Sequence, residues 1–233
     1  MVKDKDFYNQ ESTRYSSKRY PSVATNYIQY FFKKRMALVL RALEENLKHQ
    51  SGLSLLEIGC ADGVVLREIS EKQNNIFAKL IGIDTSDGMI SEAKVITVDD
   101  KINYFVRGEE AFANKFDVVL EVGVANYANI DEELIYAKNN LKEDGIYILS
   151  LAGKGSINGF WGKGAGYNNF LAYTEYEEKI KKYFEIKKII PVGIFVPLIW
   201  RNKIIGRILQ NIFEKMFLLF PGLFHEKIYV LKD

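Results

Sequence analysis

Between Leu53 and Lys94 the chain runs twice through one short cycle: an apolar stretch, an abrupt stop at a glycine or an acid, then a stretch with helical spacing. Leu53 to Ile58 stops at Gly59 and leads into Val64 to Lys72, and Lys79 to Ile83 stops at Asp84 and leads into Gly88 to Lys94. Short apolar runs bounded by turn residues are strands buried on both faces, and strands alternating with helices join as parallel βαβ units. Right-handed crossovers then leave few arrangements, all with helices on both faces of one sheet and the ligand cleft at the carboxyl ends of the strands.

The alternation continues. Strands are predicted at Asn103 to Val106, Phe116 to Glu121, Gly145 to Leu151, Glu185 to Val192 and Lys227 to Leu231, with helices at Asp131 to Leu141 and Thr174 to Lys182. Ahead of the sheet, Ile28, Phe31, Phe32, Met36, Val39, Leu40, Leu43 and Leu47 fall at helical spacing, with Lys33, Lys34, Arg35, Glu44 and Glu45 between them, an amphipathic helix from Tyr27 to Leu47. The fold expected is α/β, a doubly wound and mostly parallel seven-stranded sheet with an N-terminal helical cap and a helical insertion before the last strand. A chain of 233 residues can bury that as one domain, with a cap over 1–50, a ligand-binding core over 51–152 and an acceptor-side region over 153–233.

Several classes are set aside by composition. One cysteine, Cys60, and two histidines provide neither a disulfide framework nor a ligand set for structural zinc. A formal charge of +2 does not call for a polyanion, and no concentrated basic and aromatic patch lies outside Arg14 to Arg35, so nucleic acid is not the expected partner. Met1 to Arg19 lacks an apolar signal core and no apolar run spans a bilayer, which points to a cytoplasmic protein.

The chemistry lies in Leu55-Leu56-Glu57-Ile58-Gly59-Cys60-Ala61-Asp62-Gly63, a buried strand ending in an acid, then a turn of small residues opening a helix. Small residues let backbone approach a ligand, and the free N–H groups of a helix start suit an anionic group. The second acid, Asp84, ends the neighbouring strand, where a carboxylate accepts both hydroxyls of a ribose. A nicotinamide fingerprint would need glycines at the first, third and sixth positions; from Gly59 those are Gly59, Ala61 and Val64.

Over roughly Leu53 to Ser150 the chain resembles the class I S-adenosylmethionine-dependent methyltransferases. The resemblance implies S-adenosylmethionine as donor, S-adenosylhomocysteine as product, and a donor site at Glu57, Gly59, Cys60, Ala61, Gly63, Asp84, Thr85 and Met89. Ala61 stands where the family has a glycine. Glu109 and Glu110 match the acid that meets the adenine amino group, with the choice between them open. Glu121 and Val122 would face the methionine end, and Tyr15 would bond the donor carboxylate from the cap.

Transfer from a sulfonium needs chiefly an acceptor held about 3 Å from the methyl carbon, and an oxygen acceptor of high pKa gains from a general base. His225 and Tyr20 are the candidate catalytic side chains, although packing is the commoner role for a histidine or tyrosine so placed, and His49 is explained by a helix C-terminus. Cys60 is read as structural, because nothing near it activates the thiol. Asn126 and Tyr127 fall where acceptor contacts lie in related enzymes.

Two segments exceed a minimal sheet. Gly153 to Gly166, with six glycines in fourteen residues, reads as a mobile loop. Ile194 to Phe224 carries an apolar stripe from Ile204 to Phe220, with Arg201, Lys203, Arg207 and Lys215 on the other face. It is expected to form a lid or core-packing helix first, and a helix on a membrane surface second. The expected acceptor is a small molecule, lipid-linked, aromatic or glycosylated, methylated on oxygen. The alternatives are N-methylation, a tRNA or protein acceptor, and a donor-binding partner subunit without catalysis.

Overall fold

The computed structural model describes residues 5–110, 112–160, 167, 170–196 and 205–233. Seven strands form one sheet among the described residues: β1 (Leu53–Ile58), β2 (Phe77–Asp84), β3 (Ile102–Val106), β4 (Phe116–Val122), β5 (Leu141–Ala152), β6 (Glu185–Val192) and β7 (Glu226–Lys232). Their order is β3-β2-β1-β4-β5-β7-β6, with β7 antiparallel to both β5 and β6 and the pairs β1–β2, β1–β4, β2–β3 and β4–β5 parallel. The order reverses direction between β1 and β4, so the switch point lies beside the glycine turn.

The doubly wound architecture is thus the one that the strand and helix rhythm predicts. Helices α3 (Tyr27–Leu47) and α4 (Val64–Lys72) form where the apolar spacing puts them, and α5 (Asp87–Ile96), α6 (Ile130–Asn140) and α8 (Tyr173–Ile180) differ from expectation by a few residues at their ends. Asn26, Ser86 and Asn129 cap the N-termini of α3, α5 and α6 by accepting backbone N–H groups. One core lies between the sheet and α3, α4 and α5, through residues such as Phe31, Leu43, Leu55, Leu66, Ile90 and Leu120. The other lies under α6 and α8, through Leu56, Ile58, Val119, Leu134, Tyr147 and Tyr176. Every strand except β3 feeds both, because successive side chains point to opposite faces.

Three expectations need correction. β5 begins at Leu141 rather than Gly145; a register irregularity between Phe116 and Val118 of β4 accommodates the extra residues. Arg35, read as part of the polar side of α3, is 5% exposed, because it sits at helical spacing with Phe31 and Val39 on the side that packs against the sheet. The glycine-rich loop contains a helical turn, α7 (Ile157–Phe160), and its remainder, 161–166, lies outside the described residues, as do Arg201, Lys203 and Ile204 of the insertion. The described part of the insertion is α9 (Ile205–Met216). None of the described helices is long and apolar enough to cross a membrane.

Candidate active site

The turn after β1 is built from left-handed backbone: φ is +71° at Gly59, +48° at Ala61 and +75° at Gly63. A Cβ on Gly59 would stand 2.4 Å from Val124 Cγ2, beyond the end of β4, and one on Gly63 would stand 2.1 Å from the Tyr104 hydroxyl. These glycines let two loops and a strand close on one another. Ala61 pays a backbone cost that a glycine would not, since left-handed backbone costs an ordinary residue about 1–2 kcal/mol. Its N–H donates to Asp84 Oδ2 at 2.9 Å, and the Ser86 N–H donates to Asp84 Oδ1 at 2.9 Å. The acid at the end of β2 therefore ties the two donor loops together and retains lone pairs for a further donor. Burial raises its pKa, against the pull of those two N–H groups.

Glu57 is buried at the end of β1, and its Oε2 has no hydrogen-bond partner. Burial pushes its carboxyl well up, and the negative charges of Asp84 and Asp62 add to this. An acid held in this state has capacity for a cationic ligand group. Cys60 is buried with its thiol pKa pushed well up by burial, hence inert. Met89 is fully buried behind the Ser86 cap of α5, and Thr85 is exposed at the mouth of the same loop.

A cap closes over these loops. It comprises α1 (Lys5–Glu11), a 3₁₀ turn at Ser12–Arg14 and α2 (Tyr15–Arg19). Asn9 Oδ1 accepts from Ser86 Oγ at 2.6 Å and from the Gly88 N–H at 3.0 Å. Ser16 donates its N–H to Asp62 Oδ2 at 3.0 Å and its hydroxyl to the same oxygen. Asn9, Ser16 and Asp62 were not legible as site residues, since their pairing joins segments far apart in sequence. Tyr15 is half-buried with the Arg19 guanidinium 4.0 Å over its ring.

The two glutamates after β3 part company. Glu110 accepts from the Tyr136 hydroxyl and from the Gly108 N–H, each at 2.5 Å, which turns it toward α6. Glu109 is exposed on the side of the ion pair between Lys5 and Asp87 and is the one free to face the cleft. Residues of β4 divide likewise. Val122 shares the face of Glu57. Glu121 points to the opposite face, where Oε2 accepts from the Tyr147 hydroxyl at 2.6 Å. Burial and the nearby Glu133 raise its pKa to about 8, and Glu133 is itself clasped by Arg107 at 2.9 Å to both oxygens. Glu121 is thus not brought together with the donor loops.

On the acceptor side, Arg35 crosses the carboxyl end of β4, where a Cβ on Gly123 would meet its Nη1 at 2.4 Å. It donates to Glu226 Oε2 at 3.1 Å and to the Tyr20 hydroxyl at 3.3 Å. Both members of the Arg35–Glu226 pair are buried, and Tyr20 is held as an acceptor. His225 lies beside them at the start of β7, its ring packed edge-on against Phe195 and Phe31 at 4.8 and 5.6 Å. Its Nδ1 is buried without a hydrogen-bond partner, and burial holds the imidazole pKa below the ordinary value, so the ring is neutral at pH 7. Near the end of β4, Tyr127 stands 5.2 Å from Tyr167 and 6.4 Å from Tyr8, centroid to centroid. The Asn126 amide is occupied by Ala152 and the Tyr176 hydroxyl and clamps the end of β5.

A family model described as a methyltransferase domain matches residues 27–182. The chain belongs to the methyltransferase domain family. It is a class I S-adenosylmethionine-dependent methyltransferase. Solved structures agree on the fold. The magnesium protoporphyrin IX methyltransferase of Synechocystis PCC 6803, with bound S-adenosylhomocysteine, superposes with a TM-score of 0.66 at 14% identity over 98% of each chain. The N-methyltransferase NodS of Bradyrhizobium japonicum WM9, also with S-adenosylhomocysteine, gives 0.65 at 13% identity over 97% of this chain and 98% of that one. A Haloferax volcanii methyltransferase complex with the Trm112 activator gives 0.67 at 13% identity, covering 97% and 96%. No curated protein sequence matches significantly.

The residues present fit the donor. Glu57 offers an unpartnered buried oxygen to an ammonium, Asp84 offers lone pairs to ribose hydroxyls, and the left-handed turn leaves room for backbone to meet a ligand. The donor supplies a methyl group on a sulfonium, already activated toward a nucleophile.

Proposed function

We propose that this methyltransferase acts on a small molecule, methylating a hydroxyl on an acceptor with an aromatic or otherwise apolar body. Two observations carry this reading: the clustered rings of Tyr8, Tyr127 and Tyr167 beyond the end of β4, and the neutral His225 imidazole at the start of β7 with an unpartnered Nδ1. Rings of this kind suit a planar or apolar body, and a neutral imidazole suits removal of a hydroxyl proton. In this scheme Nδ1 of His225 accepts the proton, which leaves an imidazolium beside the Glu226 carboxylate. Arg35 and Tyr20 hold Glu226 and the cap in register around it and are positioning residues.

Incubation of the purified protein with radiolabelled S-adenosylmethionine and panels of hydroxylated aromatic, sugar and lipid-linked compounds tests the proposal. Label transfer to at least one of these is expected; label entering only tRNA or protein would overturn the assignment. With an acceptor in hand, His225→Asn should lower kcat by about 10²–10⁴ while leaving donor affinity unchanged. The acid limb of the wild-type profile should lie below the free imidazole value of about 6.5, because burial depresses the His225 pKa.

A further inference from the structure

Helix α9 leaves much of its apolar surface uncovered. Toward the protein it turns the half-buried Leu209, Phe213 and Phe217 and an ion pair, in which Glu214, 4% exposed, meets Lys34 of α3. A second apolar row points outward, with Ile208, Ile212 and Met216 at 61%, 48% and 61% exposure, one above the other at fourfold spacing. The turn after the helix extends the stripe through Leu218, Leu219 and Phe220, of which Leu219 is 86% exposed. Single exposed apolar residues are ordinary on a protein surface, but six on one helix and its adjoining turn are not.

The charge of the segment says what covers it. From 201 to 217 the sequence carries Arg201, Lys203, Arg207 and Lys215 against a single acid, Glu214, whose carboxylate is turned inward onto Lys34. Lys215 is exposed. A second copy docked by this face about a two-fold axis would bring Lys215 to a segment whose sequence is basic and offers no exposed acid to meet it. An anionic surface meets Lys215 and the basic sequence of this segment favourably, and a basic amphipathic helix is the form that lies in a bilayer interface.

We propose that the outer face of α9 and the turn through Phe220 docks the enzyme on an anionic lipid surface. The apolar side chains enter the boundary between headgroups and acyl chains, and Lys215 meets the headgroups. Lys34, which anchors α9, is adjacent to Arg35, which crosses the end of β4, so docking brings the acceptor side of the sheet close to the lipid. The inference is independent of which acceptor is methylated.

Flotation of the full-length protein with vesicles of phosphatidylcholine, alone or mixed with phosphatidylglycerol, tests it. Partitioning onto the mixed vesicles is expected to exceed that onto phosphatidylcholine by at least about tenfold and to weaken as salt is raised. The double variant Ile212→Glu, Leu219→Glu should lose at least about tenfold of that partitioning, and Lys215→Glu about fivefold. Titration with S-adenosylhomocysteine should be unchanged in both variants, which certifies their fold and keeps failure of the donor site distinct from failure of docking. The proposal is overturned if the wild type floats with neither vesicle, if it prefers neutral ones, or if the double variant partitions equally. Sedimentation showing a dimer that the double variant dissolves, without lipid binding, would assign the face to a second copy.

Discussion

The two halves of this sheet make their sites by different means. On the donor half, β1, β2 and the turns that follow them use backbone: three left-handed residues, glycines where a Cβ has no room, and Asp84 gathering the N–H groups of Ala61 and Ser86. On the acceptor half, the ends of β4 and β5 and the start of β7 are filled by side chains from distant segments: Arg35 from α3, Tyr20 from the cap, Glu226 and His225 from the last strand. Backbone geometry constrains few residue types, whereas a side-chain cluster admits many solutions. A binding site for one fixed ligand can be made the first way, and a site whose acceptor varies among relatives calls for the second.

The sharpest way to break the comparison is to remove Arg35. Arg35→Ala leaves the Glu226 carboxylate buried without its partner and should destabilise the protein by about 3–5 kcal/mol in denaturant unfolding, with much of the loss restored in an Arg35→Met, Glu226→Gln double variant. A loss confined to catalysis would show that the pair is not structural. The donor half should respond in binding instead. Asp84→Ala frees two backbone N–H groups and removes the carboxylate proposed to accept the ribose hydroxyls, and calorimetry with S-adenosylhomocysteine should show a loss of about 2–3 kcal/mol.

Glu121 separates the two faces of β4. Its pKa of about 8 in the folded protein lies above the ordinary carboxyl value, so its contribution to stability is complete in acid and is lost as pH rises through the folded pKa. Glu121→Gln keeps an acceptor for Tyr147 and should stabilise by roughly 1–3 kcal/mol above about pH 8 while changing little near about pH 4. Donor affinity should not move, because the carboxyl faces away from the donor loops. The smallest effect is the most local: Ala61→Gly relieves the left-handed backbone at φ +48° and should raise stability by up to about 1 kcal/mol in a thermal or denaturant melt.

The same contrast explains what could be read from the sequence. The glycine turn and Asp84 were legible because each signal lies within one strand and the turn that ends it, and the sheet itself because strand and helix periods differ. Arg35 and Glu226 are 191 residues apart and Ser16 and Asp62 are 46 apart, so no local pattern links them. One signal for Arg35 was present: it occupies the apolar stripe of α3 between Phe31 and Val39, where a charge is out of place without a buried partner. Glu121 misled because strand position gives the end of the sheet but a single residue of register decides the face.

The position of β7 has a consequence for the order in which this molecule can be made. β7 lies between β5 and β6 and pairs with both, though it is the last of the three in the chain. Until residues 226–232 have left the ribosome, the outer edge of β5 carries unpaired backbone groups and β6 has no neighbour to join. The pairs β1–β2, β2–β3, β1–β4 and β4–β5 have no such dependence on a later segment. The nascent chain can therefore complete its donor half while its acceptor half is still an open edge.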